Sequence, residues 1–110
     1  MNIIVTSRHF KAHESLNEYA ERSVNDLASV YNGIVRAEVI LSFEKARNSV
    51  KVAEINLKVY GTIITAVAKS DDFFKSIEGA SAKVLVQLKK YKDKLHKKNR
   101  TAVLKSKAKE

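Results

Sequence analysis

Hydrophobic residues recur with two different periods along the chain and divide it into six regular segments. Residues 2–7 predict a short first strand. Residues 14–31 carry apolar side chains at spacings of three and four, the period of a helix with one buried face. The apolar positions of this helix are Leu16, Tyr19, Ala20, Val24, Leu27 and Tyr31. Ser15 and Glu18 fit a capping box at its start, and Gly33 fits a left-handed residue beyond its end.

The middle of the chain alternates apolar and polar residues, which is typical of strands covered on one face. Residues 34–44 form the first alternating segment, with Ile40 as an exception. A polar turn at 44–49 and a tight turn at 60–62 separate it from two further strands. The apolar positions of the three strands are Val35, Ala37, Val39, Leu41 and Phe43, then Ala53, Ile55, Leu57 and Val59, then Ile64, Ala66 and Ala68. Sequential strands with short turns predict an antiparallel meander.

A second, longer helix follows the meander. Ser70 precedes two carboxylates, and a hydroxyl cap followed by acids predicts a helix N-terminus. The apolar seam of this helix is Phe74, Ile77, Ser81, Val84, Leu88, Tyr91 and Leu95, and we expect Phe73 to be partly exposed. The element order β-α-β-β-β-α predicts an α+β fold, a four-stranded sheet with two helices packed on one face.

The 110 residues suffice for one domain, which we place at 1–98 and follow with a basic, disordered tail at 99–110. The formal net charge of +9 is unevenly distributed. Residues 1–88 contain 11 Lys and Arg against 10 Asp and Glu, whereas residues 89–110 contain 10 against 2. A nearly neutral domain therefore ends in a cationic segment, which attracts polyanions such as RNA, DNA or anionic lipid.

The sequence lacks the residues that several classes of protein need for their function. No cysteine is present, which excludes disulfides, thiol catalysis and cysteine-based zinc sites. No apolar stretch approaches the roughly 18 residues of a membrane span, and the N-terminus lacks the pattern of a signal peptide, so we expect a cytoplasmic protein. His9 and His13 have no third ligand, and Asp71 and Asp72 do not face one another on a helix. We expect no enzyme activity, no cofactor and no metal.

The second helix carries a stripe of lysines beside its apolar seam. At 100° per residue from Val84, one flank contains Lys83, Lys90, Lys94 and Lys97, and the other contains Lys89 and Lys92. Asp93 is the only acid between Lys83 and Arg100. An ordinary solvated helix mixes charges of both signs, which remains the alternative. Evenly spaced cations on a rigid helix suit a row of phosphates, and we predict these six lysines as an RNA-binding site.

Two stretches of the sequence resemble the ribosome hibernation promoting factor family, which includes the ribosome-associated inhibitor protein Y. Residues 53–57 (AEINL) are similar to the family's strand motif, and residues 72–78 (DFFKSIE) to its helix-opening motif. The lysines then follow the pattern of its basic helix. Taken together, the resemblance covers about residues 1–98.

The resemblance implies a non-enzymatic protein that binds the small ribosomal subunit and its ribosomal RNA. Family members occupy the messenger and transfer RNA channel, where they block translation and protect the idle ribosome. The chain matches the short form, so we expect no ribosome pairing through a second domain, and a monomer when free. Where the family often has lysines in the first helix, this chain has Ser23 and Asp26, and Val86 replaces an arginine of the last helix.

Two other interpretations stay open at the level of sequence. Double-stranded RNA-binding domains also place two helices on one face of an antiparallel sheet, but they have no strand before the first helix. A structural protein that self-associates through the long helix would leave its apolar seam exposed.

Overall fold

The computed structural model describes residues 2–44 and 47–103, with side chains described in 2–44 and 50–95. Four strands and two helices follow in the predicted order. Their bounds are β1 Asn2–Ser7, α1 Glu14–Asn25, β2 Arg36–Glu44, β3 Arg47–Val59, β4 Thr62–Ser70 and α2 Phe73–Val103. Part of the polar turn predicted at 44–49 lies outside the described residues, as do residues 104–110 of the predicted tail. The helix α2 ends at Val103, five residues beyond the predicted boundary at 98.

The strands form one sheet in the order β1-β2-β3-β4. The predicted meander is confirmed, since β2 pairs antiparallel with β3 and β3 with β4. The first strand lies parallel to β2, with Ile3 opposite Ala37 and Val5 opposite Val39. Both helices cover the same face of the sheet: α2 packs on β3 and β4, while α1 packs on β1 and α2. The α+β fold class is therefore confirmed.

Alternation places one side of each strand in the core, as predicted. In β2 and β3 the residues Ala37, Val39, Leu41, Ala53, Ile55, Leu57 and Val59 are completely buried. From the helices, Val24, Ile77, Val84 and Leu88 are equally buried against them. The assignment of Val35 to this face is wrong: its side chain is 60% exposed, because β2 begins only at Arg36.

The first helix begins at Glu14 as predicted, but its N-terminal cap and its C-terminal end differ from the prediction. Its N-cap is His13, whose carbonyl accepts hydrogen bonds from the N–H groups of Leu16 and Asn17, and no side chain caps the helix. The predicted capping box of Ser15 and Glu18 is therefore wrong, since both residues already lie inside the helix. At the other end, α1 stops at Asn25 and the chain continues as a short 3-10 helix, Asp26–Ser29.

Gly33 is required because a side chain would not fit there, and not because its backbone is left-handed. The predicted left-handed conformation of Gly33 is therefore wrong. The φ angle of Gly33 is not positive. The glycine with a positive φ is Gly61, at 84° in the β3–β4 turn. A Cβ atom at Gly33 would lie 2.5 Å from Cζ of Tyr31. The Tyr31 ring is in turn held edge-on by Tyr91, with 5.6 Å between ring centroids. Any larger residue at 33 must displace this ring.

The N-terminus of α2 is capped by Asp72 and not by Ser70 as predicted. The Phe74 N–H donates to Oδ1 of Asp72 over 2.9 Å. Ser70 has a different role, because its hydroxyl lies 2.7 Å from the hydroxyl of Ser76. Ser76 is completely buried and donates to the carbonyl of Lys51 over 2.7 Å. The two serines thus fasten the start of α2 to the middle strand β3.

Phe73 and Phe74 exchange the positions predicted for them. Phe73 is buried and lies in an aromatic cluster, 5.0 Å from the ring centroid of Phe10 and 5.4 Å from that of Phe43. Phe74 is 41% exposed and packs beside Tyr19. The reason is angular: counting back from Val84 at 100° per residue places Phe73 about 20° from the seam and Phe74 about 80° from it.

Candidate nucleic-acid interface

The position of the lysine stripe is set by contacts between α2 and the edge strand β4. Lys83 Nζ donates to the Val67 carbonyl over 2.8 Å, and Gln87 Nε2 donates to the Thr65 carbonyl over 2.9 Å. One turn further along α2, the Tyr91 hydroxyl donates to the Tyr60 carbonyl over 2.7 Å. These bonds run down one flank of the helix and fix its rotation about its own axis.

The opposite flank of α2 is fixed by Lys92. Its ammonium group donates to the Val30 carbonyl over 3.0 Å, across the segment that follows the 3-10 helix. An ammonium group has three N–H donors, so Lys83 and Lys92 each keep two for another acceptor. Both predicted site lysines therefore also anchor the helix that carries the site.

Three of the predicted lysines project freely into solvent. Lys89, Lys90 and Lys94 are exposed, and within the described part of the chain none of them forms a hydrogen bond or an ion pair. Lys90 and Lys94 are four residues apart and lie on neighbouring turns of one flank. Lys97 belongs to α2 by its backbone, but its side chain lies outside the described residues.

Little negative charge offsets these cations. Between Lys83 and Leu95 of the described chain, Asp93 is the only acid, and it forms no ion pair there. The ion pairs seen among the described side chains are Lys69–Glu44 at 2.8 Å and Lys75–Asp71 at 3.8 Å, both away from this stretch. The outer face of α2 consequently carries a positive potential suited to a polyanion.

A tyrosine pair supports the helix behind the free lysines. Burial of the Tyr91 phenol raises its pKa above the usual 10.0, and its hydrogen bond and charge interaction with Tyr31, together with the charge of Tyr60, act in the same direction. The phenol therefore stays protonated at neutral pH and keeps donating to the Tyr60 carbonyl. Sequence reasoning placed Tyr91 in the apolar seam and missed this hydroxyl contact, because periodicity does not reveal which strand lies at the sheet edge.

The remaining sequence candidates have no comparable geometry. Phe73 is buried and cannot stack on a base. Phe74 is 41% exposed, but its ring already packs against the ring of Tyr19. His9 and His13 lie near the β1–α1 loop, and no group of three or more His, Asp or Glu side chains gathers as a metal site within the described ranges. Over the same ranges, no helix is both long and apolar enough to cross a membrane. Val86, which stands where the resembling family often has an arginine, is 54% exposed and lies among the lysines of the outer face.

Both alternative interpretations meet structural objections. β1 precedes α1 and extends the sheet beside β2, whereas a double-stranded RNA-binding domain begins with its helix. Self-association through α2 requires an exposed apolar seam, but Ile77, Val84 and Leu88 are completely buried against the sheet.

Sequence comparisons connect the chain with ribosome-associated proteins. Residues 3–96 match the family described as sigma 54 modulation protein / S30EA ribosomal protein. A ribosome hibernation promoting factor of Escherichia coli is 30% identical over 95 residues, covering 86% of this chain and 97% of that protein. Another, from Pseudomonas putida, is 27% identical over 94 residues, covering 86% of this chain and 89% of that protein.

Solved structures show the same fold. A ribosomal subunit interface protein from Coxiella burnetii superposes with a TM-score of 0.76 at 28% identity, covering 84% of this chain and 99% of that one. The N-terminal domain of protein Y from Thermus thermophilus gives a TM-score of 0.72 at 23% identity, covering 83% and 99%.

Proposed function

Because the chain belongs to the sigma 54 modulation protein / S30EA ribosomal protein family, we propose that it binds the small ribosomal subunit and silences translation while ribosomes are idle. The observation that carries this proposal is the exposed set of Lys89, Lys90 and Lys94, which have no partner among the described residues and lie on a helix whose rotation is fixed on both flanks. In this proposal the protein acts by binding and not by catalysis, and its place of action is the cytoplasm, where ribosomes are found.

The chemistry of the contact follows from the geometry of α2. Cations on a rigid helix meet phosphates without the entropic cost of ordering a chain, and they release the counterions of the RNA. Lys83 and Lys92 can contribute their remaining N–H donors, whereas Lys89, Lys90 and Lys94 can turn entirely toward RNA. Phosphate contacts position a protein and read no sequence, which suits a surface that recognises the shape of a ribosomal channel.

A second part of the proposal is the location of the binding site on the ribosome. We assign the contact to the channel of messenger and transfer RNA on the small subunit, where a bound protein excludes both ligands and thereby stops initiation. A monomer suits this site, since the apolar seam of α2 is already covered by the sheet and its outer face repels a second copy electrostatically.

The test is charge reversal at the free lysines. We expect the variant Lys89→Glu, Lys90→Glu and Lys94→Glu to lose co-sedimentation with small subunits and inhibition of a cell-free translation reaction. Its fold should persist, because none of the three side chains has a partner among the described residues. Circular dichroism checks the fold.

A matched comparison uses the tail. The variant Lys105→Glu, Lys107→Glu and Lys109→Glu changes the net charge by the same amount, at residues outside the described range. We expect it to keep most of the inhibition, because the proposed contact lies on α2 and charges outside it mainly add non-specific attraction. If the tail variant is inactive and the helix variant active, the site on α2 is wrong.

A further inference from the structure

The tip of the β3–β4 hairpin presents an aromatic ring that the fold leaves unused. Tyr60 is 85% exposed, and within the described part of the chain its ring stacks on no other aromatic residue. Its backbone is nevertheless held, since its carbonyl accepts the hydrogen bond from Tyr91 and Gly61 closes the turn with φ of 84°. A flat ring on a fixed backbone, open to solvent, is a ready surface for a partner's π-face.

Two cations near the base of the hairpin form no ion pair with any described residue. On the sheet face that the helices leave open, the strand register places Arg36 directly opposite Lys58. Like charges in this position destabilise a sheet. Glu38 lies near both, yet neither cation forms an ion pair or hydrogen bond with any described residue. Two cations that lie opposite one another and form no ion pair with a described residue can bind an anion from outside the chain.

The cation pair and the ring are contiguous. Arg36, Glu38, Asn56, Lys58, Ile63 and Thr65 line a shallow depression of about 350 Å³. Its floor is ordered by the hydrogen bond from Thr65 Oγ1 to Asn56 Oδ1, at 2.8 Å. Lys58 lies near the end of β3, two residues before Tyr60 in the turn that joins β3 to β4, so this side of the depression adjoins the hairpin tip.

The same tip is tied to the lysine stripe. Tyr91 bonds the Tyr60 carbonyl, and Lys90 and Lys94 lie one residue before and three residues after Tyr91 on α2. The exposed ring therefore lies between two cationic surfaces, one on the helix and one on the open sheet face. A polyanion with an aromatic group between consecutive negative charges matches this arrangement.

We propose that Tyr60, Arg36 and Lys58 bind one unpaired nucleotide of an RNA strand, with the base stacked on the Tyr60 ring and the phosphate held by the two cations. This inference rests on the proposed function and extends the RNA contact from α2 around the hairpin to the sheet. An unpaired nucleotide is required because a base within a duplex is stacked on its neighbours and offers no free face. A strand fits better than a free nucleotide, since cations lie on both sides of the ring.

The absence of tryptophan from the sequence gives a direct test. The variant Tyr60→Trp contains a single indole at the tip, and stacking quenches its fluorescence. We expect saturable quenching by single-stranded oligouridine and none by a duplex RNA of the same length. Phe74→Trp, at the other end of α2, is the matched control and should not be quenched. Equal quenching by duplex, or at both indoles, overturns the proposal, and equal quenching by uridine monophosphate overturns the assignment to a strand.

Affinity for the oligonucleotide gives the second measurement. Tyr60→Ala should weaken binding by roughly five- to one hundredfold, whereas Tyr60→Phe should retain it within about twofold, because the ring and not the hydroxyl stacks. Lys58→Gln should weaken binding and lower the salt slope by about one. Circular dichroism of each variant controls for folding. Unchanged binding by Tyr60→Ala overturns the proposal.

Binding to small subunits separates this inference from the proposed function. If Tyr60→Ala co-sediments as well as the unaltered chain while the charge-reversed α2 variant does not, the hairpin site is wrong and the function on the ribosome stands. If the unaltered chain fails to bind subunits but the Tyr60→Trp signal persists with oligouridine, the proposed function fails and the hairpin site stands.

Discussion

Single serines in α2 show how burial and hydrogen bonding decide a residue's effect on stability. Ser76 is completely buried and bonded to both Ser70 and the Lys51 carbonyl. Ser81, five residues later in the same helix, has a buried hydroxyl without a partner among the described residues. The same hydroxyl group is thus satisfied at one position and unsatisfied at the other.

These two serines provide a paired prediction. Ser76→Ala should lower the free energy of unfolding by roughly 1–3 kcal/mol, because it leaves the Lys51 carbonyl without its donor. Ser81→Ala should have an effect near zero or be slightly stabilising, since it removes a desolvated polar group that bonds nothing. Urea denaturation followed by circular dichroism measures both. Equal destabilisation by the two substitutions would contradict the hydrogen-bond assignments.

Residue-level features were the least predictable part of the sequence. Ser70 and Asp72 are both good N-cap residues two positions apart, and only the path of the chain out of β4 decides between them. Phe73 and Phe74 are equally apolar neighbours, so a small error in helix phase exchanges core and surface. The requirement at Gly33 arises from the Tyr31 ring, whose position depends on Tyr91, far away in sequence.

Whole elements were predicted well, because periodicity integrates over many residues. Both helices and all four strands lie in the segments predicted for them, although α1 ends six residues before the predicted end at 31. The lysine stripe also followed from angular position alone. The sequence could not show which lysines anchor the helix and which are free. The anchoring of Lys83 and Lys92 depends on carbonyls of β4 and of the segment after α1, which are distant in sequence.

The cap of α2 gives a prediction at the scale of the element. Asp72→Ala removes the acceptor of the Phe74 N–H and should destabilise the fold by roughly 0.5–2 kcal/mol. Asp71→Ala is the control with the same change in charge. Its loss should remain below about 0.5 kcal/mol, because Asp71 forms only an exposed pair with Lys75 at 3.8 Å. Thermal unfolding curves of the two variants measure both losses of stability. A larger loss for Asp71→Ala would mean that Asp71, and not Asp72, caps the helix.

At the scale of the whole molecule, the proposed contact through the lysine stripe predicts that association with the ribosome depends on salt. If the five described site lysines neutralise phosphates, affinity for small subunits should fall by one to three orders of magnitude between about 50 and 200 mM monovalent salt. A variant that only neutralises the three free lysines, Lys89→Gln, Lys90→Gln and Lys94→Gln, should show a slope of log affinity against log salt that is shallower by about 2–3. Sedimentation across a salt series provides the measurement. Binding that does not respond to salt would exclude the stripe as the contact surface.

The bonds that orient α2 have a second consequence, for the behaviour of the protein at high concentration. β4 is an outer strand of the sheet, and an outer strand whose carbonyls are free can recruit a strand from another chain and begin ordered aggregation. Lys83 and Gln87 occupy the Val67 and Thr65 carbonyls, and they place a charged side chain across the path of an incoming strand. The helix that carries the cationic surface thereby also obstructs the addition of a foreign strand at these two positions of the edge.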